Sequence, residues 1–235
     1  MNRLRTVRAI AVDCDGVLIN DTYLAVIEQF INRRGGSYDE QAEKDIIGLQ
    51  DVVVAERIAL VCGLKQPTAD TLAAIWAERE QFLQEQPIKV NPEAAEFLTS
   101  LRELGVRVLC YGGRTREHTF EKYLGNLVEL FDPEHPYVSV NEHRPGVDLI
   151  VRDVLGCDAD EVIFIDDVSR VAQAARNLGS GFIGFPSSSA HRRQRRFMEQ
   201  IGVRHIVGSL GEITPSLIAH IDEELARSRH WITAN

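Results

Sequence analysis

Long apolar runs are missing from this chain. No stretch reaches the roughly 18 consecutive apolar residues that a membrane-spanning helix needs, so no membrane partner is expected. A basic excess is missing too: 26 Lys and Arg stand against 35 Asp and Glu, for a net charge of −9. Nucleic-acid binding needs a basic footprint, and that class is set aside. The four cysteines, Cys14, Cys62, Cys110 and Cys157, form no C-x-x-C pair, which argues against a zinc site, and a chain of this size without a secretion signal implies no disulfide framework. The basic start MNRLRTVRAIAVDCDG passes straight into a strand-like run without a signal-peptide core, and a cytoplasmic location is expected. No internal repeat or low-complexity tract is found, and nothing in the sequence reports an oligomeric state.

What is present is an alternation of short apolar runs and helical patterns. VRAIAVD (7–13), VRVLCY (106–111), YVSV (137–140), VIFID (162–166) and FIGF (182–185) read as strands. They are near-continuous in apolar residues, as in strands covered on both faces. Between them, 92–105, 114–130, 147–156 and 169–179 read as helices. Pro92 sits at the start of the first and Gly105 closes it. This order predicts an α/β protein built on a parallel sheet with right-handed crossovers.

One block breaks the alternation. Residues 19–87 hold several helical runs and no convincing strand, which predicts a helical insertion returning at Gln86-Pro87. Near the other end, Ser187-Ser188-Ser189 ahead of HRRQRRFMEQIG (191–202) predicts a serine-capped helix with Arg192, Arg193, Arg195 and Arg196 in its first turns. Arginines there oppose the helix dipole, so acidic partners or solvent must balance them; a solvated face is the expectation. RHIVGSLGEI (204–213) reads as a last short strand leading to a closing helix.

The chemistry gathers at two strand ends. The first strand finishes in Asp13-Cys14-Asp15-Gly16, and VIFID finishes in Asp166-Asp167. In open α/β sheets ligands bind beyond the carboxyl ends of the strands. Carboxylates crowded there raise one another's pKa unless a cation or a reaction uses them, and such hard oxygen donors suit Mg²⁺.

These residues resemble the motifs of the haloacid dehalogenase superfamily, and the resemblance spans essentially the whole chain. AVDCDGVL matches the family's first motif, which implies Asp13 as nucleophile and Asp15 as general acid/base. IFIDDVSRVAQAARNLG matches the fourth, which implies Asp167 as a metal ligand with Asp166 supporting it. By the same resemblance Mg²⁺ is held by Asp13, Asp167 and the main-chain carbonyl of Asp15. The fold implied is a Rossmann-like core, 1–18 and 88–235, with an α-helical cap over 19–87. Two positions depart from the pattern. Gly112 stands where the second motif has Ser or Thr, although Thr115 lies three residues on. Arg144-Pro145 replaces the usual Lys-Pro, and Arg is not a like-for-like substitute for Lys. Phosphate is then expected to meet Arg144 and the N–H groups of Cys14 and Gly113, with glycines at 112 and 113 leaving room for backbone approach.

The activity implied is a Mg²⁺-dependent phosphatase acting on a small phosphorylated metabolite through an aspartyl phosphate. Two alternatives stay open: a sugar-phosphate mutase of the β-phosphoglucomutase type, and a degenerate binding or assembly protein with weak activity. Asn20, Asp21, Thr22, Gln50 and Arg57 are lesser candidates for a specificity surface. His118 and His143 read as ordinary loop histidines.

Overall fold

In the computed structural model, which describes residues 4–186 and 192–232, six parallel strands form one sheet. They are β1 (Ala9–Asp13), β2 (Arg107–Gly112), β3 (Tyr137–Ser139), β4 (Val162–Asp166), β5 (Gly181–Gly184) and β6 (His205–Ile206), in the order β3-β2-β1-β4-β5-β6. Every pairing is parallel, with Val12 opposite Cys110 on one side and Ile165 on the other.

The near-continuous apolar runs are explained by two cores, one on each face. Along β1, Ile10 and Val12 point into one cluster while Ala9 and Ala11 point into the other. Val108 and Cys110 alternate with Leu109 and Tyr111 in the same way, as do Ile163 and Ile165 with Val162 and Phe164. The first face is covered by α5 (Ala94–Glu103) through Phe97, Leu98 and Leu101, and by α8 (Pro215–Leu225) through Ile218 and Ile221. The second is covered by α6 (Ser169–Leu178) and by Met198 of α7 (Arg192–Ile201).

Between β1 and α5 lie α1 (Leu24–Arg33), α2 (Glu40–Ile46), α3 (Asp51–Cys62) and α4 (Thr68–Glu85). Leu24, Ile27 and Ile31 recur at helical spacing on α1 and join Ile46, Val54, Ile58 and Ile75 in a third apolar cluster. The chain enters and leaves this helical block through two paired segments. Asn20 N–H donates to the Lys89 carbonyl at 3.0 Å, and Asn91 N–H donates to that of Leu18 at 2.8 Å.

The structure differs from the sequence expectation in three places. Residues 114–130 are not one regular helix: a wide-turn π-type helix, Glu117–Leu124, gives way at Gly125 to a tight 3₁₀ segment, Gly125–Leu130. Glycine's low helix propensity marks the change. The expected helix over 147–156 is likewise of π type and shorter, Leu149–Leu155. Two arginines of the run in α7 are ion-paired rather than merely solvated. Arg193 donates to Glu43 at 3.0 Å and Arg196 pairs with Glu40, both partners belonging to α2. The expected serine cap at 187–189 lies outside the described residues. No helix among the described residues is long and apolar enough to cross a membrane.

Candidate active site

The chain order reverses about β1: β2 and β3 lie to one side of it, and β4, β5 and β6 to the other. Such a switch opens a crevice at the strands' carboxyl ends. Asp13 is the last residue of β1 and Asp166 the last of neighbouring β4. A cleft opens there, lined by Asp13, Asp15, Asp21, Gly113, Arg144, Asp166 and Asp167 from the sequence candidates.

Three of these carboxylates are nearly inaccessible: Asp13 is 5% exposed, Asp166 1% and Asp167 2%. Burial, then the charges of Asp166 and Asp167, push the Asp13 carboxyl well above its ordinary range, against the pull of Arg144. Asp166 is held on both oxygens. The Tyr111 hydroxyl donates to Oδ2 at 2.5 Å and the Val168 N–H to Oδ1 at 2.6 Å. Burial raises its pKa to about 6 while these donors oppose the rise. Gly16 has φ +104°, and a Cβ there would run into the carboxylate of Asp167. Glycine in the first motif therefore admits Asp167 to the loop that carries Asp13 and Asp15.

Asp15 sits in a different setting. It accepts from Thr22 N–H at 3.0 Å and from the Thr22 hydroxyl at 3.0 Å. Burial, then the charge of Asp21, raise its pKa to about 6, opposed by Arg79 and the Thr22 donors. Arg79 of α4 donates through Nη2 to the Thr22 hydroxyl at 2.7 Å and stands 4.0 Å from Asp15 Oδ2. The helical block thus reaches the acidic edge of the sheet. Crowded, buried carboxylates with only oxygen donors, beside a glycine cradle for one of them, fit a hard divalent cation such as Mg²⁺. Asp13, Asp167 and the Asp15 carbonyl could hold it.

The remaining candidates divide. Arg144 lies against Gly113, where a Cβ would meet its guanidinium. A Cβ at Gly112 would meet Tyr137 Oη at 2.9 Å, so the missing serine's place is already filled. Cys14 is buried, and its N–H, expected to bind phosphate, instead donates to the Tyr111 carbonyl at 2.9 Å. Thr115 does not fill the Gly112 gap: it is exposed and hydrogen-bonds His118 Nδ1 at 2.8 Å. It lines an adjoining groove with His118 and His143. Asn20 accepts from Lys89 N–H, Gln50 donates to the Glu142 carbonyl, and Arg57 is exposed. Sequence reading missed Tyr111, Trp76, Arg79 and Arg114. Tyr111 alone had a local signal, since it lies within the β2 run and pairs in register with Asp13 of β1.

A family model of haloacid dehalogenase-like hydrolases matches residues 7–179. No curated protein matches the chain. Among solved structures, a haloacid dehalogenase-like protein of unknown function from Agrobacterium tumefaciens is 18% identical, with a TM-score of 0.68 over 92% of this chain and 99% of that one. A predicted phosphoglycolate phosphatase from Haemophilus somnus is 16% identical, with 0.63 over 89% and 97%. A β-phosphoglucomutase from Clostridium difficile is 13% identical, with 0.68 over 94% and 99%. At these identities the likeness is one of fold.

Proposed function

The chain belongs to the haloacid dehalogenase-like hydrolases, and from that premise we propose that it is a Mg²⁺-dependent phosphatase of a small phosphorylated metabolite. The observation that carries this reading is a pair of carboxylates two residues apart in contrasting settings. Asp13 is crowded by Asp166 and Asp167 beside Arg144, whereas Asp15 is held by Thr22 and poised near pH 6.

In this reading an Asp13 oxygen attacks phosphorus in line. A new P–O bond forms as the ester P–O bond breaks, and the alkoxide takes the Asp15 proton. Asp15, now a carboxylate, removes a proton from water. The water oxygen then attacks phosphorus, releasing inorganic phosphate and restoring Asp13. A pKa near 6 lets Asp15 serve in both directions, a role worth about 10²–10⁴-fold. Arg144 both favours the ionised form of Asp13 and offers donors to the phosphoryl oxygens. Tyr111 and Val168 keep Asp166 fixed as a supporting neighbour. The residues assigned to Mg²⁺ are Asp13, Asp167 and the main-chain carbonyl of Asp15. When bound, the cation supplies the positive charge that offsets these crowded carboxylates and the phosphate.

We assign residues 1–18 and 88–235 to the core and 19–87 to a helical cap whose closure keeps stray water from the intermediate. The described cysteines are free, which suits a reducing compartment, and we place the enzyme in the cytoplasm. The test is phosphate release from a panel of phosphate esters with Mg²⁺ and with EDTA, using Asp13→Asn as the blank. Release only with Mg²⁺ and only by the wild type supports the reading. Equal turnover by Asp13→Asn overturns it, and a requirement for a bisphosphate activator would favour a mutase.

A further inference from the structure

The cleft has a second cationic side that the hydrolytic steps leave unused. Trp76 and Arg79 stand one turn apart on α4, and Arg114 follows β2; all three line the cleft with Asp13 and Asp15. The Arg114 guanidinium lies 4.3 Å from the centre of the Trp76 ring, and that of Arg79 lies 5.7 Å from it. Two cations therefore share one indole. Burial, then the charge of Arg79, push the Arg114 guanidinium below its ordinary value.

Arg79 is 4% exposed, and its Nε is buried without a hydrogen-bond partner. A buried donor left unmade is costly, and like charges held together are costly unless an anion joins them. The acidic groups nearby already have other roles or stand at a distance: Asp15, 4.0 Å from Arg79 Nη2, accepts from Thr22 and carries the proton transfers. Asp21 accepts from the N–H groups of Tyr23 and Leu24 at the start of α1. Burial raises the Asp51 carboxyl above its ordinary value, against Arg144, Arg114 and Arg79. Glu80 reaches Arg79 Nη1 only at 4.0 Å, from an exposed position.

We infer that Arg79 and Arg114, flanking Trp76, form a subsite for a second anionic group on the alcohol part of the substrate, a carboxylate or a further phosphoryl group. The inference rests on the phosphatase reading for the first phosphoryl group. Guanidinium forks donate to either anion in bidentate fashion, and the Arg79 Nε–H gains the acceptor it lacks. Tyr23, Leu24 and Leu49, which line the same cleft, suit the carbon frame between the two anionic ends.

The test is calorimetric binding to the wild-type protein in Mg²⁺ of three phosphonates whose P–C bond the proposed chemistry leaves intact. Ethylphosphonate has an uncharged tail, phosphonoacetate a carboxylate, and methylenebisphosphonate a second phosphonate. At least one doubly anionic ligand is expected to bind roughly ten- to a hundredfold tighter than ethylphosphonate. Which of the two binds tighter identifies the anion. Arg114→Gln is expected to remove most of that advantage and Arg114→Lys to retain part of it. Equal affinities for all three, or an advantage that Arg114→Gln leaves intact, would overturn the subsite. Turnover of p-nitrophenyl phosphate reads the hydrolase assignment separately, so the two can fail independently.

Discussion

Gly112 has no room for the serine that the family pattern asks for, because Tyr137 Oη stands 2.9 Å from where its Cβ would be. That hydroxyl donates to the Arg114 carbonyl at 2.7 Å and so holds the loop after β2. Gly112→Ser is therefore expected to overpack the site, costing about 1–3 kcal/mol, and to lower kcat rather than raise it. Thermal melts and phosphate release check this; a higher kcat in the serine variant would contradict it. Gly113 and Arg144 form a similar pair, the glycine making room for a guanidinium where the family has a lysine. Both departures were readable in the sequence as residue types, but the side chains that fill the space were not. A residue-scale test of the scaffold lies at Asp132. It accepts from Arg107 Nε at 2.7 Å and from the N–H groups of Glu134 and His135 at 3.0 and 2.9 Å. Burial pushes its carboxyl up, but Arg107 and these amides outweigh it and hold the pKa below 3.8. A depressed folded pKa stabilises above the unfolded value and is lost as pH falls through the folded one. Asp132→Asn is expected to cost about 1.5–3 kcal/mol near pH 7. Its gap from the wild type should narrow as the pH drops below about 4. Denaturant titrations at several pH values check the sign, and a gap that widens in acid would contradict it.

Among elements, the strands were the most legible, since both faces of β1, β2 and β4 are covered and their apolar runs have no polar alternation to blur them. The segment after β2 was less so, because its apolar spacing fits several kinds of helical turn and only tertiary contacts choose among them. Helix α7 was legible, but the setting of two of its arginines was not: Arg193 and Arg196 find their partners about 150 residues away in the chain. Glu43 of α2 is fully buried, accepting from Arg193 at 3.0 Å and from Gln194 Nε2 at 2.7 Å. Gln194 in turn accepts from Ser169 N–H at 2.8 Å, which fastens α2 to both α6 and α7. Removing one partner from such a group strands the others. Glu43→Ala is expected to destabilise by about 3–5 kcal/mol, with Glu43→Gln losing less because its carbonyl still accepts. Chemical denaturation compares them, and a neutral alanine variant would remove the tie between these helices.

At the scale of the whole molecule, the topology delivers two acidic strand ends to one switch point, and this part of the site was legible from Asp13, Asp15, Asp166 and Asp167 alone. Its other wall was not, since Trp76 and Arg79 lie on a helix some sixty residues along whose docking leaves no local pattern. The crowded carboxylates also make a thermodynamic prediction. Without metal their mutual repulsion opposes folding, so Asp167→Asn is expected to melt higher than the wild type in EDTA. Saturating Mg²⁺ should raise the wild-type Tm by several degrees and the variant's much less. Scanning calorimetry checks this; a wild-type Tm indifferent to Mg²⁺ would contradict the assigned ion.

The central claim is that Asp13 attacks phosphorus and Asp15 governs the release of the intermediate. Asp15→Asn cannot take a proton from water, yet p-nitrophenyl phosphate has a leaving group that needs no proton to depart. Incubated with this ester and Mg²⁺, the Asp15→Asn protein is expected to accumulate one phosphoryl group, found by peptide mass spectrometry on Asp13. The double variant Asp13→Asn/Asp15→Asn should acquire none. A phosphoryl group on another residue, or turnover without one in the double variant, would contradict the account.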